Sequence, residues 1–176
     1  HVEIPSSITV IGFKAFAGCV NLESVVIPPK VKVIGQYTFS SCSSLLKISI
    51  PSSVENLGDF AFSNCIKLSE VDIECPSSLR KIGKRCFYGC LLLNNFKVPP
   101  FVTEIEDGTF ELCLGLNNIE IHPSIKSIGN CAFRFTRVSF SLSNVTSLGK
   151  NIFKDDIPFN GQKIKDMVAE FSKRHY

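Results

Sequence analysis

Phenylalanine recurs at positions 16, 39, 62, 87, 110, 133 and 153, in steps of 23, 23, 25, 23, 23 and 20 residues. A longer string travels with each ring: VIGFKAFAGC at 10–19, VIGQYTFSSC at 33–42, NLGDFAFSNC at 56–65 and KIGKRCFYGC at 81–90. Fainter copies follow as EIEDGTFELC at 104–113, SIGNCAFRFT at 127–136 and SLGKNIFKDD at 147–156. A unit of this length cannot bury its own apolar face. Stacked units share one continuous core, so the period itself predicts a solenoid whose stability is carried by neighbour contacts.

Each unit reads in three parts. The first is strand-like: LESVVIP, LLKISIP, LSEVDIECP, LNNFKVP and LNNIEIHP. Leu22, Val25 and Ile27 set the inward positions, and β-branched residues at alternate places favour a strand. Pro28, Pro51, Pro76 and Pro99 end it by removing a donor and fixing φ. The second part is a short apolar step closed by Gly12, Gly35, Gly58, Gly83, Gly129 and Gly149, which suits a turn with positive φ or a close backbone approach. Glu106 occupies the same place in the fifth unit, which predicts a locally altered turn there. The third part, AF..C, is expected to be a short helix or helical turn on the outer face. Its Phe should form an internal stack, one ring per coil.

The ordered set of strand, IP.S, V..IG, AF..C and L resembles the BspA-type leucine-rich repeat, most closely in IPSSVENLGDFAFSNCIKLSEVDI at 50–73. The resemblance covers residues 1 to about 155. It implies an α/β fold: a right-handed leucine-rich repeat solenoid of about seven repeats, with a parallel β-sheet and short helical segments. Residues 1–159 would form the solenoid. Residues 160–176 would form an amphipathic helix capping it, since Ile164, Met167, Val168 and Phe171 fall on one helical stripe. A partner-docking helix or a membrane-surface helix remains the alternative for that tail. The family is associated with surface proteins of mucosal bacteria and protozoan parasites. The implied role is adhesion to host proteins, matrix or other cells. An intracellular scaffold or adaptor would use the same solenoid equally well.

Composition narrows the function further. Apolar residues make up 44% of the chain and charged residues 20%, enough for a packed core. The net charge of +3 is dispersed, there is no Trp and there are only three Tyr. A nucleic-acid partner is therefore not expected. No run of about 18 apolar residues is present, so this stretch has no transmembrane segment. The chain begins in mid-pattern at HVEIPSSI, which reads as a piece of a longer or processed protein. Further repeats or a cap are expected before His1. An open solenoid end invites self-association through unpaired strand edges.

Eight Cys would suit a disulfide framework in a small secreted chain. Here Cys19, Cys42, Cys65, Cys90 and Cys113 each stand three residues after a repeat Phe, so they belong to the period and read as buried structural thiols. A column of single Cys along the stack axis does not converge on a zinc ion, and no metal or cofactor is expected. Cys75, in the two-residue insertion Glu74–Cys75 of the long repeat, is expected to be exposed and able to pair or oxidise. A thiol-redox role for Cys75, Cys86 or Cys90 is the reading to set against a structural one. Asn144-Val145-Thr146 is a glycosylation sequon that matters only if a eukaryotic cell secretes the protein.

The outward strand positions carry the functional expectation. One column is His1, Ser24, Lys47, Glu70, Asn95, Asn118 and Arg137. The other is Glu3, Val26, Ser49, Asp72, Lys97, Glu120 and Ser139. These positions are varied and mostly polar, and they obey no repeat rule, as a read-out surface would. Ser24, Val26, Lys47, Ser49, Glu70, Asp72, Asn95, Lys97, Asn118, Glu120 and Arg137 are the candidate partner-binding residues. A merely solvated sheet face is the competing reading. Seven strands spaced about 4.8 Å apart make a face about 29 Å long, enough for about 800 Å² of interface. No Ser-His-Asp set, zinc-protease motif or phosphate loop appears, and His1, His122 and His175 are scattered. Catalysis is not expected.

Overall fold

The computed structural model describes residues 2–138 and 145–153. The capping helix expected over 160–176, the sequon Asn144 and the outward position Ser139 lie outside the described residues. In chain order the strands are β1 (Val10–Ile11), β2 (Val33–Ile34), β3 (Lys47–Ile50), β4 (Asn56–Leu57), β5 (Glu70–Ile73), β6 (Lys81–Ile82), β7 (Asn95–Lys97), β8 (Glu104–Ile105), β9 (Asn118–Glu120), β10 (Ser127–Ile128) and β11 (Ser147–Leu148). All pairings are parallel and in register from one repeat to the next. The result is a β-solenoid of about six turns.

Each coil has three walls. The first carries β3 and β5, then β7 and β9, and presents the variable columns. The second carries the short apolar steps as the sheets β1-β2-β4-β6 and β8-β10-β11. The third is the AF..C segment, and here the structure corrects the sequence. Among the described residues there is no helix. Two residues per coil adopt the left-handed region instead, for example Tyr37 (φ 56°) and Ser41 (φ 61°), or Phe60 (φ 57°) and Asn64 (φ 58°). Two such residues four apart break any helix. They also turn every second N–H out of the local turn and toward the next coil. Phe39 N–H donates to Ala61 O at 2.8 Å and Ser41 N–H to Ser63 O at 2.7 Å, while Ser40 N–H stays within its coil on Tyr37 O. The third wall is thus a hydrogen-bonded ladder like the other two, built from turns.

The core is what the period predicts. Phe39, Phe62, Phe87, Phe110 and Phe133 are fully buried. Their rings stack with Phe16 and Phe153 at the ends, at centroid spacings such as 5.2 Å for Phe16–Phe39 and 5.5 Å for Phe62–Phe87. The column Cys form a second internal series. The thiols of Cys42, Cys65, Cys90 and Cys113 each donate to the Phe carbonyl of the preceding coil, for example Cys65 to Phe39 O at 3.1 Å and Cys113 to Phe87 O at 3.1 Å. Burial pushes the Cys42 thiol up to about 12, and burial also raises Cys65, Cys86, Cys90 and Cys113 well above the ordinary thiol value. Cys19, in the first coil, and Cys75 in the insertion are exposed, and all eight Cys are unpaired.

The glycine rule has one cause of the two considered. The glycines of the second wall have no positive φ. A Cβ at Gly58 would instead lie 2.5 Å from Gln36 N, and one at Gly129 would lie 2.5 Å from Asp107 N. The requirement is close approach of neighbouring coils. Glu106 violates it, and the second sheet is interrupted there: β6 does not pair with β8. The bond made by Gly83 N–H to Leu57 O and by Gly129 N–H to Ile105 O has no counterpart from Glu106 to Ile82.

Candidate partner-binding face

The structure places all eleven expected positions, Ser24, Val26, Lys47, Ser49, Glu70, Asp72, Asn95, Lys97, Asn118, Glu120 and Arg137, on the exposed surface. The inward residues between them, such as Ile48, Phe96 and Ile119, are buried. Register then makes columns out of them. Lys47 stands opposite Glu70 and Ser49 opposite Asp72. Asn95 stands opposite Asn118 and Lys97 opposite Glu120. Alternation alone orients these side chains, because successive Cβ atoms of a strand point to opposite faces.

The face is not flat. A trough of about 320 Å³ runs over the first half, lined by Ser24, Val26, Lys47, Ser49, Glu70, Asp72 and Glu74. Val26, 71% exposed, gives it an apolar spot, and the three carboxylates give one acidic side. A second hollow of about 190 Å³ lies over Glu70, Asn95, Lys97, Asn118 and Glu120. A third, about 130 Å³, opens beside Asp72, Cys75, Lys97 and Pro99. Lys97 Nζ sits 3.2 Å from Glu120, an ion pair open to water and so of small worth to the fold. Glu74 accepts from Ser52 N–H at 3.2 Å, which anchors the insertion. Glu70, Lys97 and Glu120 line the second hollow together, and Asp72 meets Lys97 in the third. His122 is a turn residue: its Nδ1 accepts from Ser124 N–H at 3.1 Å. Among the described residues no group of His, Cys, Asp and Glu could hold a metal ion, and no helix is long and apolar enough to cross a membrane.

Two features were missed in the sequence. Residues following the repeat Gly, or Glu106 in its place, cap the next coil: Asp59 Oδ1 accepts from Lys84 N–H at 3.0 Å and Asp107 Oδ1 from Asn130 N–H at 2.7 Å. That bond holds the Asp107 carboxyl below its ordinary value. The G-[DN] dipeptides at 58–59 and 129–130 were the available signal. The second is an aromatic and cationic strip on the third wall, centred two residues before the first four repeat Phe, at Lys14, Tyr37, Phe60 and Arg85. Tyr37 stacks on Phe60 at 4.7 Å, Lys14 lies over Phe13 and Tyr37, and Arg85 lies over Phe60 and Tyr88. Its rings are largely spent on one another.

Comparison with known proteins agrees with this geometry. The BspA type leucine-rich repeat region matches in six copies, over residues 1–74 and 71–176. A leucine-rich repeat protein from Bacteroides ovatus ATCC 8483 is 33% identical, with a TM-score of 0.69 over 85% of this chain and 45% of its own. A leucine rich cell surface protein from Faecalibacterium prausnitzii A2-165 is 27% identical, with a TM-score of 0.71 over 82% of this chain and 40% of its own. The T. pallidum leucine-rich repeat protein is 27% identical, with a TM-score of 0.71 over 98% of this chain and 81% of its own. The chain therefore spans less than half the length of the first two. No match was found among curated proteins. Leucine-rich repeat proteins are in general protein-interaction modules and typically non-catalytic. With six matched copies, the Phe and Cys columns and the three-walled coil in agreement, the chain belongs to the BspA-type leucine-rich repeat family.

Proposed function

We propose that this solenoid is a non-catalytic recognition module that binds a protein through its strand face, at a cell surface, in adhesion to a host or matrix protein. The observation that carries the reading is the registered pair of exposed, non-repeating columns over the troughs, on a scaffold whose other residues repeat. A cell-surface place is supported by the F. prausnitzii relative, which is described as a cell surface protein. The eight unpaired Cys favour a second reading, an intracellular scaffold or adaptor using the same face, because disulfides are rare in reducing compartments.

The test compares the native chain with Lys47, Asp72, Lys97 and Glu120 all changed to Ala. Both are immobilised and challenged with purified matrix proteins and, separately, with cytosolic proteins. Matrix binding lost in the variant is the expected result. Binding confined to cytosolic proteins favours the adaptor. Equal binding by native chain and variant removes the strand face from consideration.

A further inference from the structure

The wall ladders do not run unbroken along the stack. Both sheets stop at the same junction, between the coil carrying β5 and β6 and the coil carrying β7 and β8. Among the described residues no backbone hydrogen bond joins β5 to β7 or β6 to β8. At the other described junctions the second sheet is continuous. The coils are joined here along the third wall, through Arg85 N–H to Asp107 O, Phe87 N–H to Thr109 O and Gly89 N–H to Glu111 O, and just beyond its end through Gly115 N–H to Leu91 O.

Sequence causes stand on each broken wall. Glu106 sets a side chain where its neighbours have Gly, so the second-wall backbones cannot close. On the strand wall, the insertion Glu74–Cys75 lengthens the exit of β5. Phe96 also occupies a column otherwise held by Val25, Ile48, Val71 and Ile119, with its ring tilted against Phe87 at 5.2 Å and against Phe110 at 4.9 Å. Val71 and Ile73 of β5 are only half-buried, unlike Ile48 and Ile50 of β3. On the broken second wall a longer side-chain contact bridges the junction, Lys81–Glu106 at 3.8 Å, and on the intact third wall Lys84–Asp107 at 3.5 Å and Arg85–Glu111 at 3.9 Å add to the backbone bonds. The hollows beside Asp72 and Lys97 sit over this seam.

We propose that this junction is a hinge, pivoting on the third wall, which divides the strand face into two plates and lets a partner spanning both set the angle between them. The proposal rests on the strand-face reading for its role in binding, but the hinge itself is testable without any partner. Four backbone bonds and the Phe87–Phe110 stack act as the pivot. The ion pairs tune the angle because they can lengthen without breaking a ladder.

The experiment is amide exchange and residual dipolar couplings by NMR on the native chain and on Glu106→Gly. In the native chain the Thr103 and Glu106 amides are expected to exchange at least about tenfold faster than Lys126 and Gly129, which hold the equivalent bonds to Thr103 O and Ile105 O. The couplings of residues 22–90 and 93–136 are expected to need two separate alignment tensors. Glu106→Gly should slow the two amides and bring the halves toward one tensor. Equal protection of the four amides in the native chain, with one tensor fitting both halves, would overturn the hinge. If Glu106→Gly fails to fold, the native measurements decide alone. Loss of partner binding without loss of two-tensor behaviour would overturn the strand-face reading and leave the hinge standing.

Discussion

The buried thiols make alkaline pH the sharpest perturbation of this fold. Cys42, Cys65, Cys86, Cys90 and Cys113 are 0% exposed, and burial raises each above the ordinary thiol value of 9.0. A thiol that stays protonated in the native state but ionises in the unfolded chain favours unfolding once pH passes the unfolded value. Stability is therefore unaffected well below pH 9 and falls between about pH 9 and the native value, about 12 for Cys42. At pH 10 each such thiol costs about 1.4 kcal/mol, and five cost about 7 kcal/mol. That is comparable to the whole stability of an ordinary domain, about 5–15 kcal/mol. The assay is urea unfolding in a phosphine reductant at pH 7, 8, 9 and 10, for the native chain and for Cys65→Ala. The variant is less stable at pH 7 through its cavity, yet its loss between pH 7 and pH 10 should be smaller by about 1.4 kcal/mol. Parallel curves for the two proteins would refute the reasoning.

Gly58→Ala is expected to cost about 2–4 kcal/mol, from overpacking against Gln36 N and the weakened Gly58 N–H bond to Ile34 O. Gly12→Ala, which meets nothing within 4 Å, should be neutral or stabilising by up to about 1 kcal/mol. Denaturant titration of both separates close approach from a general glycine effect. Phe62→Ala, which removes a fully buried ring stacked between Phe39 and Phe87, should cost about 3–5 kcal/mol in the same assay.

The solenoid, its inward residues and its outward columns were legible because a repeat states each environment several times over. Phe, Cys and strand positions recur only if they meet the same neighbours in every coil. The AF..C wall was not legible as turns. Apolar spacing there fits a helix equally well, and the left-handed residues are as unlike as Tyr37, Arg85 and Leu112, so no composition marks them. What forces that conformation is the demand of the next coil's carbonyls for every second N–H, as in Phe39 to Ala61, a partner 22 residues away. The face's exposure could be read from alternation, whereas its troughs could not, since they depend on how coils tilt against one another.

The sequence by itself determined the repeat, the direction each side chain takes and the place of the anomaly at Glu106, because these follow from local periodicity and residue size. Only the tertiary structure decided that the insertion after β5, the ring of Phe96 and the carboxylate of Glu106 act at one junction. The insertion lies more than twenty residues before Phe96 and Glu106 in the chain, and it is the coil geometry that brings all three to a single seam.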